Sequence, residues 1–488
     1  MEALMIGVSG LRGTVGGTLT PAVVSRMASA FAAWLASSAN PPANGSHHRV
    51  AFGRDSRPSG HWVRDAAAAA LAASGVEVLD LDVVTTPGAA MMVRRLGADA
   101  GVVVTASHNP IQWNGLKFLN RDGAALAPAH AAEVGRLYAE ERTAYVRVER
   151  LVQPTRHSEA VMLPRGANVR GVEGLVPPTR NSETHALHVK RVLDYVDVLG
   201  VSSKRYKVVL DSVNGAGCVV TAMLLNKLGC QLVHLNASPD GRFPHDPEPT
   251  EKNLTGLADE VRRQRAHVDF AQDPDADRLA VVDERGTYIG EEYTLALAAR
   301  HVLSKRRGVA AANLSSSRML DDIDARYDSR VVRTPVGEAN VVQAMLRESA
   351  VIGGEGNGGV IDPRIVPGRD SLVAIAYVLQ LMADTGKSVS QLVAELPRYE
   401  IVKTKFECRR EDAERAVEAI RRQFASAAGG VRVDTQDGVR IDWDDERAWV
   451  HARPSNTEPI MRIIAEAPGR AVAESKIASV RAAVGGLV

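Results

Sequence analysis

Short apolar runs alternate with helical segments in the first 120 residues of the chain. Residues 50–52 and 101–104 are apolar runs typical of buried strands, and residues 76–81 alternate apolar with acidic side chains. A threonine–proline pair at residues 20–21 begins a helix that we expect to extend to about residue 38. A second helix lies between the strand at residues 50–52 and the strand at residues 76–81. This order predicts α/β architecture.

The same pattern restarts beyond a segment that has no sustained period. Residues 142–186 mix arginine, proline, serine and asparagine, and they predict a linker with an insertion. From residue 207 a strand, a helix and another strand follow, and two apolar strands then flank residues 273–277. The last segment, from about residue 399, alternates strands with a helix at residues 411–425.

The composition is that of an ordinary soluble globular protein. Of 488 residues, 45% are hydrophobic and 24% are charged, and this length favours about three domains. The net charge of +1 and the aromatic content of 4% give no reason to expect nucleic acid or an anionic membrane as a partner. No apolar run is long enough to span a bilayer.

The three cysteines, Cys218, Cys230 and Cys408, form no CxxC pair. Their odd number argues against a disulfide framework, and their spacing argues against structural zinc, so a reducing cytosol fits. The amino terminus has no basic flank followed by an apolar core, and no secretory signal is visible. These features predict a cytoplasmic protein.

The stretch from residue 101 to residue 118 contains the first candidate for chemistry. Its apolar strand ends in T-A-S-H-N-P, and open α/β sheets bind their ligands at the carboxyl ends of their strands. Ser107 is therefore placed to meet a substrate, with His108 beside it and Lys117 on the same excursion of the chain. A single serine in a loop is more often only a loop residue, so the other motifs must decide.

Three aspartates, Asp273, Asp275 and Asp277, occur at alternate positions between two apolar strands. Carboxylates this close repel each other unless a cation neutralises them, and hard oxygen ligands suit Mg²⁺. A solvated acidic turn is the alternative, but the apolar flanks disfavour it. An EF-hand is excluded because its glycine and its distal glutamate are not at the required positions.

Two further loops suit a phosphorylated sugar. Residues 351–361 are rich in glycine, which lets the backbone approach a ligand, while Glu355 and Asn357 can bond hydroxyls. Residues 453–462 make a good phosphate receptor, although a polar hairpin turn is the alternative. The candidate groups of this second loop are Arg453, Ser455, Asn456, Thr457 and Arg462.

Two arginine-bearing motifs precede the serine. S-G-L-R-G at residues 9–13 places Arg12 between glycines, where its planar guanidinium suits phosphate or carboxylate. Taken alone, Arg12 is more simply a surface arginine in a turn. G-R-D-S-R-P-S-G at residues 53–60 predicts a mostly structural loop in which Arg54 and Asp55 brace the serine turn.

Together these motifs resemble those of the α-D-phosphohexomutases and follow the order of that family. The matching runs are S-G-L-R-G, T-A-S-H-N-P with N-G-x-K, D-P-D-A-D-R and R-P-S-N-T-E-P. Pro274 and Ala276 stand where the family usually has glycine, but the three aspartates and Arg278 are kept. The resemblance implies that Ser107 carries a phosphoryl group and, with the three aspartates, holds Mg²⁺.

The resemblance also implies roles for the other site residues. Arg12 and Lys117 would handle charge and a proton at the transferring phosphoryl group. His108 would join them in the catalytic set, as a structural or phosphate contact. The substrate-binding residues would be Arg278, Glu355, Asn357, Arg453, Ser455, Asn456, Thr457 and Arg462.

The architecture implied by the resemblance is α/β with four domains around a central cleft. Three similar α/β domains with mixed sheets would be followed by a smaller α+β C-terminal domain. The phosphoserine domain would span residues 1–145 and the linker 146–186. The metal-binding, sugar-recognition and phosphate-binding domains would span residues 187–287, 288–397 and 398–488.

The glycine-rich loop also indicates a substrate by resemblance. Its form G-E-G-N-G-G looks like one branch of phosphoglucosamine mutases, and Glu338 stands where glucose and mannose enzymes often have histidine. Arg369 and Asp370 are predicted to brace this loop. The implied reaction interconverts glucosamine 6-phosphate and glucosamine 1-phosphate through a bisphosphate, in a monomer or a homodimer. Alternatives are a phosphomannomutase or phosphoglucomutase and, from another class, a catalytically silent sugar-phosphate sensor.

Overall fold

The computed structural model describes residues 4–37, 41–43, 45–143, 145–146, 180–425, 430–455 and 459–485. Contacts divide the chain into two compact units, each made of two stretches of sequence. The first unit comprises Met1–Glu291 and Gly359–Ser390, and the second comprises Glu292–Gly358 and Gln391–Val488.

The first unit opens with a mixed six-stranded sheet covered by helices. Strands β3 and β5 are parallel neighbours, whereas β6 runs antiparallel to both β5 and β2, and the strand order is β1-β2-β6-β5-β3-β4. As predicted, Thr20 caps the first helix, because its side chain accepts a hydrogen bond from the Val23 N–H. The elements are β1 Met5–Gly7, β2 Gly10–Thr14, α1 Pro21–Leu35, β3 Arg49–Arg54, α2 Gly60–Ala73, β4 Glu77–Val83, α3 Thr86–Arg95, β5 Ala100–Val104, β6 Trp113–Leu119 and α4 Pro128–Ala139.

A second mixed sheet follows in the same unit, with the strand order β10-β9-β7-β8. Strand β7 is parallel to β8 and β9, and β10 turns back antiparallel to β9. A short 3-10 helix at Glu251–Asn253 precedes the last helix of this region. The elements are α5 Arg180–Leu193, α6 Val198–Ser203, β7 Lys207–Asp211, α7 Gly217–Lys227, β8 Gln231–Leu235, α8 Thr255–Gln264, β9 Val268–Gln272 and β10 Leu279–Asp283.

Helix α5 begins at Arg180, inside the stretch in which the sequence showed no sustained period. The reason lies on its buried face, where polar side chains replace the expected apolar ones. Thr184, His185 and His188 are buried there together with Val189. An apolar stripe is the usual signal of a packed helix, and here that signal is weak.

The remaining elements complete the α/β pattern and end in an antiparallel sheet. Strand β11 is parallel to both β12 and β13. Strand β14 and helix α12, which follow β13 in the chain, belong to the first unit. The elements are α9 Glu291–Lys305, β11 Val309–Asn313, α10 Met319–Arg326, β12 Arg330–Thr334, α11 Glu338–Glu348, β13 Ile352–Glu355, β14 Gly359–Ile361, α12 Ser371–Thr385, α13 Val389–Ala394, β15 Glu400–Glu407, α14 Arg410–Ala425, β16 Val431–Asp434, β17 Val439–Trp443, β18 Ala448–Pro454, β19 Ile460–Ala467 and α15 Arg470–Val484.

The C-terminal sheet has the order β15-β19-β18-β17-β16, and every neighbouring pair in it is antiparallel. Helices α14 and α15 cover it, and an apolar core that includes Ile420, Val450 and Val480 lies between. The predicted class, α/β domains with mixed sheets followed by a smaller α+β domain, is confirmed. Within the described ranges, no helix has both the length and the apolar character needed to cross a membrane.

Candidate active site

Ser107 lies in the turn that follows β5 and contacts the aspartate loop, residues 273–278 between β9 and β10. Its backbone is left-handed (φ +50°), which is strained for a residue with a side chain. The Ser107 N–H donates to Thr105 Oγ1 at 2.9 Å. Its hydroxyl donates to Asp273 Oδ2 at 3.0 Å and lies 3.3 Å from His108 Nδ1. The side chain is only 2% exposed, so the hydroxyl meets the carboxylate in a nearly dry environment.

A buried arginine, Arg57, holds this turn. Asp55 accepts from Arg57 Nε at 3.1 Å and from Thr105 Oγ1 at 2.8 Å, and the side chains of Arg57 and Asp55 are fully buried. The five donors of a guanidinium form a rigid fork, which suits several carbonyls at once. Its other donors reach the backbone carbonyls of Ser107 and Asn109 at 2.6 Å, Pro110 at 2.7 Å and Trp113 at 3.0 Å.

The structure therefore assigns the bracing role to Asp55 and Arg57, and the prediction was wrong for Arg54. The Arg54 guanidinium donates instead to Asp82 Oδ1 at 2.8 Å and to the carbonyl of Asp55 at 3.3 Å. Both arginines belong to one motif, and sequence alone does not say which of them points at the serine turn. The spacing of Arg57 two residues after Asp55 was the available signal.

The three predicted aspartates meet in one buried cluster. Carboxylate oxygens of Asp273, Asp275 and Asp277 lie within 4.8 Å of one another, and all three residues are 0% exposed. Asp273 Oδ1 accepts from the N–H groups of Asp277 and Arg278, each at 3.0 Å. Asp275 Oδ2 accepts from Thr86 Oγ1 at 2.6 Å. The cluster is thus held by backbone and hydroxyl donors.

The backbone of the aspartate loop explains two details of its sequence. Ala276 adopts a left-handed conformation (φ +55°), which glycine would reach more easily. Its carbonyl accepts from Ser371 Oγ at 2.6 Å, a contact that holds the residue in this conformation. Gly215 lies so close to the loop that a Cβ added there would be 2.7 Å from the carbonyl oxygen of Pro274. The glycine following β7 is therefore needed for packing.

Two cations neutralise one carboxylate of the cluster. Asp277 Oδ2 accepts from Lys117 Nζ at 3.2 Å and from Arg369 Nη2 at 2.6 Å. Burial alone raises the pKa of Asp277, but the charges of Arg369, Lys117 and Arg278 outweigh it and lower that pKa below its ordinary value. Asp277 is therefore the carboxylate that stays ionised most readily.

The other two aspartates experience the opposite effect. Burial, followed by the neighbouring carboxylates, raises the pKa of Asp273 well above its ordinary value. Burial and Asp277 likewise raise the pKa of Asp275. Asp275 Oδ1 and Asp277 Oδ1 have no hydrogen-bond partner within the described part of the chain. A cation added to the cluster would relieve both the repulsion and the missing bonds.

This donor set fits a hard divalent cation. Buried carboxylate oxygens without a partner are the ligands that Mg²⁺ prefers, and Ser107 Oγ contacts the same cluster. Asp273, Asp275 and Asp277 could therefore hold the metal together with Ser107.

Arg369 and Asp370 have partners that the sequence did not predict. Arg369 binds Asp277, as described, instead of serving only the glycine-rich loop. Asp370 caps α12 by accepting from the Leu372 N–H at 2.9 Å, and it accepts from His188 Nε2 at 2.7 Å. The segment before α12 therefore ties the aspartate loop to helices α5 and α12.

Arg12 and His108 flank the serine. Arg12 Nη1 donates to Asn109 Oδ1 at 3.1 Å, and burial together with Arg278 lowers the pKa of Arg12. For His108, burial and then the charges of Arg278 and Arg12 lower the pKa to about 2. A neutral imidazole with so low a pKa is a weak base at neutral pH, so His108 is suited to a hydrogen-bonding contact.

The predicted sugar-loop residues lie in the second unit. Glu355, at the end of β13, is 4% exposed and accepts from Asn313 Nδ2 at 2.9 Å and from the Gly337 N–H at 3.1 Å. Asn357 Oδ1 is buried and has no hydrogen-bond partner among the residues described. Glu338 is the first residue of α11. Glu355 is thus fixed by the protein, while Asn357 retains an unused acceptor.

The predicted phosphate-receptor residues lie on the hairpin of β18 and β19, also in the second unit. Arg453 and Arg462 occupy directly opposite positions on the two strands. Arg453 Nε lies 3.5 Å from Asp437 Oδ2, and Arg462 is exposed. Two guanidinium groups on facing strands could contact one anion.

The turn between these strands is described only in part. The Ser455 N–H donates to the carbonyl of Ile460 at 2.9 Å, which closes the hairpin. The predicted residues Asn456 and Thr457 lie outside the described residues.

Comparison with known protein families gives four matches that follow one another along the chain. Each carries the description phosphoglucomutase/phosphomannomutase. The matches are alpha/beta/alpha domain I at residues 3–145, domain II at residues 186–286, domain III at residues 291–399 and the C-terminal domain at residues 405–483.

Relatives of similar length carry two names. The chain is 35% identical to a "Phosphoglucomutase/phosphomannomutase" of Thermococcus kodakarensis, over 95% of this chain and 94% of the relative. It is also 35% identical to a "Probable phosphoglucosamine mutase" of Methanopyrus kandleri, over 94% of this chain and 93% of the relative. A crystal structure of a phosphoglucomutase/phosphomannomutase family protein from Burkholderia thailandensis matches with a TM-score of 0.79 and 25% identity, covering 99% and 98% of the two chains. The chain is therefore a member of the phosphoglucomutase/phosphomannomutase family, the phosphohexomutases, and a mutase of the isomerase class.

Proposed function

We propose that this phosphohexomutase interconverts glucosamine 6-phosphate and glucosamine 1-phosphate, and that Ser107 is the residue that carries the phosphoryl group. One observation supports the chemistry most directly. The Ser107 hydroxyl lies 3.0 Å from a carboxylate oxygen of a fully buried three-aspartate cluster. A phosphoserine brings a charge of about −2, which needs strong neutralisation in such a place.

In the proposed reaction, the phosphorus of phospho-Ser107 is attacked by the free hydroxyl of the hexose phosphate. The bond to Ser107 Oγ breaks as the new P–O bond forms, which leaves Oγ as an oxyanion, and Lys117 in its neutral amine form takes the proton of the attacking hydroxyl. The resulting bisphosphate turns around and returns its other phosphoryl group to Ser107. The proton then goes back to the hydroxyl oxygen that this second transfer leaves on the sugar.

The surrounding residues position this transfer and balance its charge. Arg57 fixes the turn through four carbonyls, so that Ser107 Oγ stays at the aspartate cluster. Arg12 and Arg278 supply positive charge for the phosphoryl oxygens, and neutral His108 supplies a hydrogen bond. A magnesium ion held by Ser107 and the three aspartates would neutralise the charge of the phosphoserine.

We assign the sugar and its resident phosphate to residues of the second unit. Glu355 and Asn357 suit hydroxyl or amine groups, and Arg453, Arg462 and Ser455 suit the phosphate. The unpartnered Asn357 Oδ1 favours a ligand that donates a hydrogen bond at this point. We propose the same role for Asn456 and Thr457.

The amino sugar is supported by the name of the Methanopyrus relative and by Glu338 in place of histidine. The name of the Thermococcus relative favours the alternative, a phosphoglucomutase or phosphomannomutase. A silent sugar-phosphate sensor is disfavoured, because Ser107, Lys117 and the three aspartates are all present and clustered or adjacent.

The substrate is tested with coupled assays on glucosamine, glucose and mannose 6-phosphates under identical conditions. We expect the highest kcat/KM for glucosamine 6-phosphate. Faster turnover of mannose or glucose 6-phosphate would reassign the substrate while leaving the phosphoserine chemistry intact. Intact-mass spectrometry of the purified protein tests that chemistry separately, since a fraction carrying one phosphoryl group at Ser107 is expected. A sensor would show no turnover of any of the three sugars.

A further inference from the structure

A surface pocket of about 280 Å³ lies in the first unit and is lined by none of the site residues described above. The carboxyl-terminal end of α3, helix α5 and the loop that precedes α12 form its walls. Met91, Leu187 and Ile365 contribute apolar surface to it, and Met91 and Ile365 are themselves well buried. This volume is at the small end of pockets that bind organic molecules.

Three arginines also line the pocket: Arg94, Arg95 and Arg191. The Arg94 guanidinium has no hydrogen-bond or ion-pair partner in the described part of the chain. Arg95 Nη2 lies 3.5 Å from Glu183 Oε1, so one carboxylate offsets part of the charge. Arg191 Nη1 donates to the carbonyl of Arg364 at 3.1 Å, which orients its guanidinium without neutralising it. The pocket therefore has an excess of positive charge.

We propose that this pocket is an effector site for a small organic phosphate, coupled to the aspartate loop. Guanidinium groups bind phosphate through paired N–H donors, and three of them face one concavity. The apolar wall selects a ligand that carries a nonpolar body beside its phosphate. Inorganic phosphate alone would leave that wall exposed to water, so it should bind more weakly.

The coupling follows from hydrogen bonds that two of the pocket walls make with the aspartate loop. Helix α3 begins at Thr86, whose N–H donates to the carbonyl of Asp275 at 3.0 Å and whose hydroxyl donates to Asp275 Oδ2 at 2.6 Å. Arg94 and Arg95 follow Thr86 by eight and nine residues of the same helix, which is about 12–14 Å along its axis. The loop that carries Ile365 continues to Arg369, which binds Asp277 at 2.6 Å. A ligand that orders both walls therefore bears on two aspartates of the cluster.

Binding is tested by calorimetric titration of phenyl phosphate, which combines a phosphate with an apolar ring. We expect saturable binding to the wild type and an affinity about tenfold lower or more in the double variant Arg94→Ala, Arg191→Ala. A similar loss of affinity is expected in the single variant Arg94→Glu, where no native side-chain contact is broken. Arg453→Ala, which changes the other predicted phosphate receptor, should keep this binding event, as should the exposed control Arg307→Ala. Inorganic phosphate should bind several-fold more weakly.

Three results would overturn the site: no binding of phenyl phosphate up to about 10 mM, equal affinity in the wild type and both pocket variants, or loss only in Arg453→Ala. The coupling has its own readout, amide hydrogen exchange followed by mass spectrometry. Phenyl phosphate should slow exchange at residues 86–95 and 362–370, and also at residues 273–278, in the wild type but not in Arg94→Glu. Protection of the walls without protection of residues 273–278 would disprove the coupling.

Discussion

The aspartate loop of the first unit and the arginine hairpin of the second unit manage charge in opposite ways. In the aspartate loop every carboxylate is 0% exposed, and the protein itself supplies cations and N–H donors, as at Asp277 and Asp273. On the hairpin, Arg453 and Arg462 lie directly opposite each other, and Arg453 Nε is 3.5 Å from Asp437 Oδ2.

The two regions therefore differ in how far contacts within the protein alone fix their geometry. The first region is fixed before any ligand arrives, because its geometry depends on contacts within the protein. The second region places two arginines opposite each other on a hairpin, and we propose that a phosphate binds them. Substitutions of residues that fix the first region, such as Arg57, should therefore change kcat and stability together, while those on the hairpin should change KM and leave stability almost unaffected.

The largest effect is expected for Ser107→Ala. If the serine carries the phosphoryl group, turnover should fall by roughly 10⁴-fold or more, because the reaction loses its nucleophile. The phosphorylated species should disappear from the intact-mass spectrum, while the melting temperature remains close to that of the wild type. Ser203→Ala, at an exposed serine of α6, is the matched control and should behave normally. Turnover of Ser107→Ala near the wild-type rate would remove Ser107 from the mechanism.

The next largest effect is expected for Arg57→Lys. An ammonium cannot reach four carbonyls and Asp55 at once, so the serine turn should loosen and kcat should fall about 10²-fold with a smaller change in KM. Each buried carbonyl that loses its donor should lower the free energy of unfolding by about 1–3 kcal/mol.

Arg54→Lys is the control for this change, because Arg54 pairs with Asp82, a half-exposed residue. Its effects on kcat and on urea denaturation should both be clearly smaller. Equal losses in the two variants would show that the serine turn does not depend on the Arg57 fork.

On the hairpin, Arg453→Ala should raise the KM for the sugar phosphate by about 10- to 100-fold, because a charge-assisted contact to the phosphate is lost. Its stability should be almost unchanged, since the contact with Asp437 that is lost is long, at 3.5 Å. Arg432→Ala is the control in the same sheet, where a surface arginine pairs with Asp444. An unchanged KM in Arg453→Ala would separate this hairpin from substrate binding.

The smallest effect concerns a buried carboxylate of the second unit that lacks a cation. Asp324 is 2% exposed, neither of its carboxylate oxygens has a partner in the part of the chain described, and burial raises its pKa to about 7. The folded protein thus keeps a proton that the unfolded chain releases above about pH 4. This contribution to stability is complete below that pH and is lost as the pH rises through about 7.

Asp324→Asn should therefore stabilise the protein by about 2–4 kcal/mol at pH 8 and have little effect near pH 4, as measured by urea denaturation across that range. Asp322→Asn, on the same helix, should instead destabilise at pH 8, because Asp322 accepts from Tyr399 Oη and pairs with Arg447. A stabilisation by Asp324→Asn that does not vary with pH would show that its carboxyl group titrates normally.

Ser107 and the three aspartates could be found from sequence as candidate site residues because each lies in a short contiguous motif. The residues that position them could not. Arg57 contacts the turn 50 residues away, and Arg369 reaches Asp277 across 92 residues, so no local pattern reports either contact. The predicted fold class was correct, since apolar runs mark its strands. The start of helix α5 was not predicted, because its buried face carries polar side chains instead of an apolar stripe.

The first unit is discontinuous in sequence, and this has a consequence for biosynthesis. Asp277 leaves the ribosome 92 residues before Arg369, its closest cationic partner. The ribosome must also synthesise Glu292–Gly358, which belongs to the second unit, before it reaches Gly359–Ser390, the second stretch of the first unit. The buried carboxylates cannot gain their full protein environment during early translation, and a protein truncated after Glu291 should not assemble them.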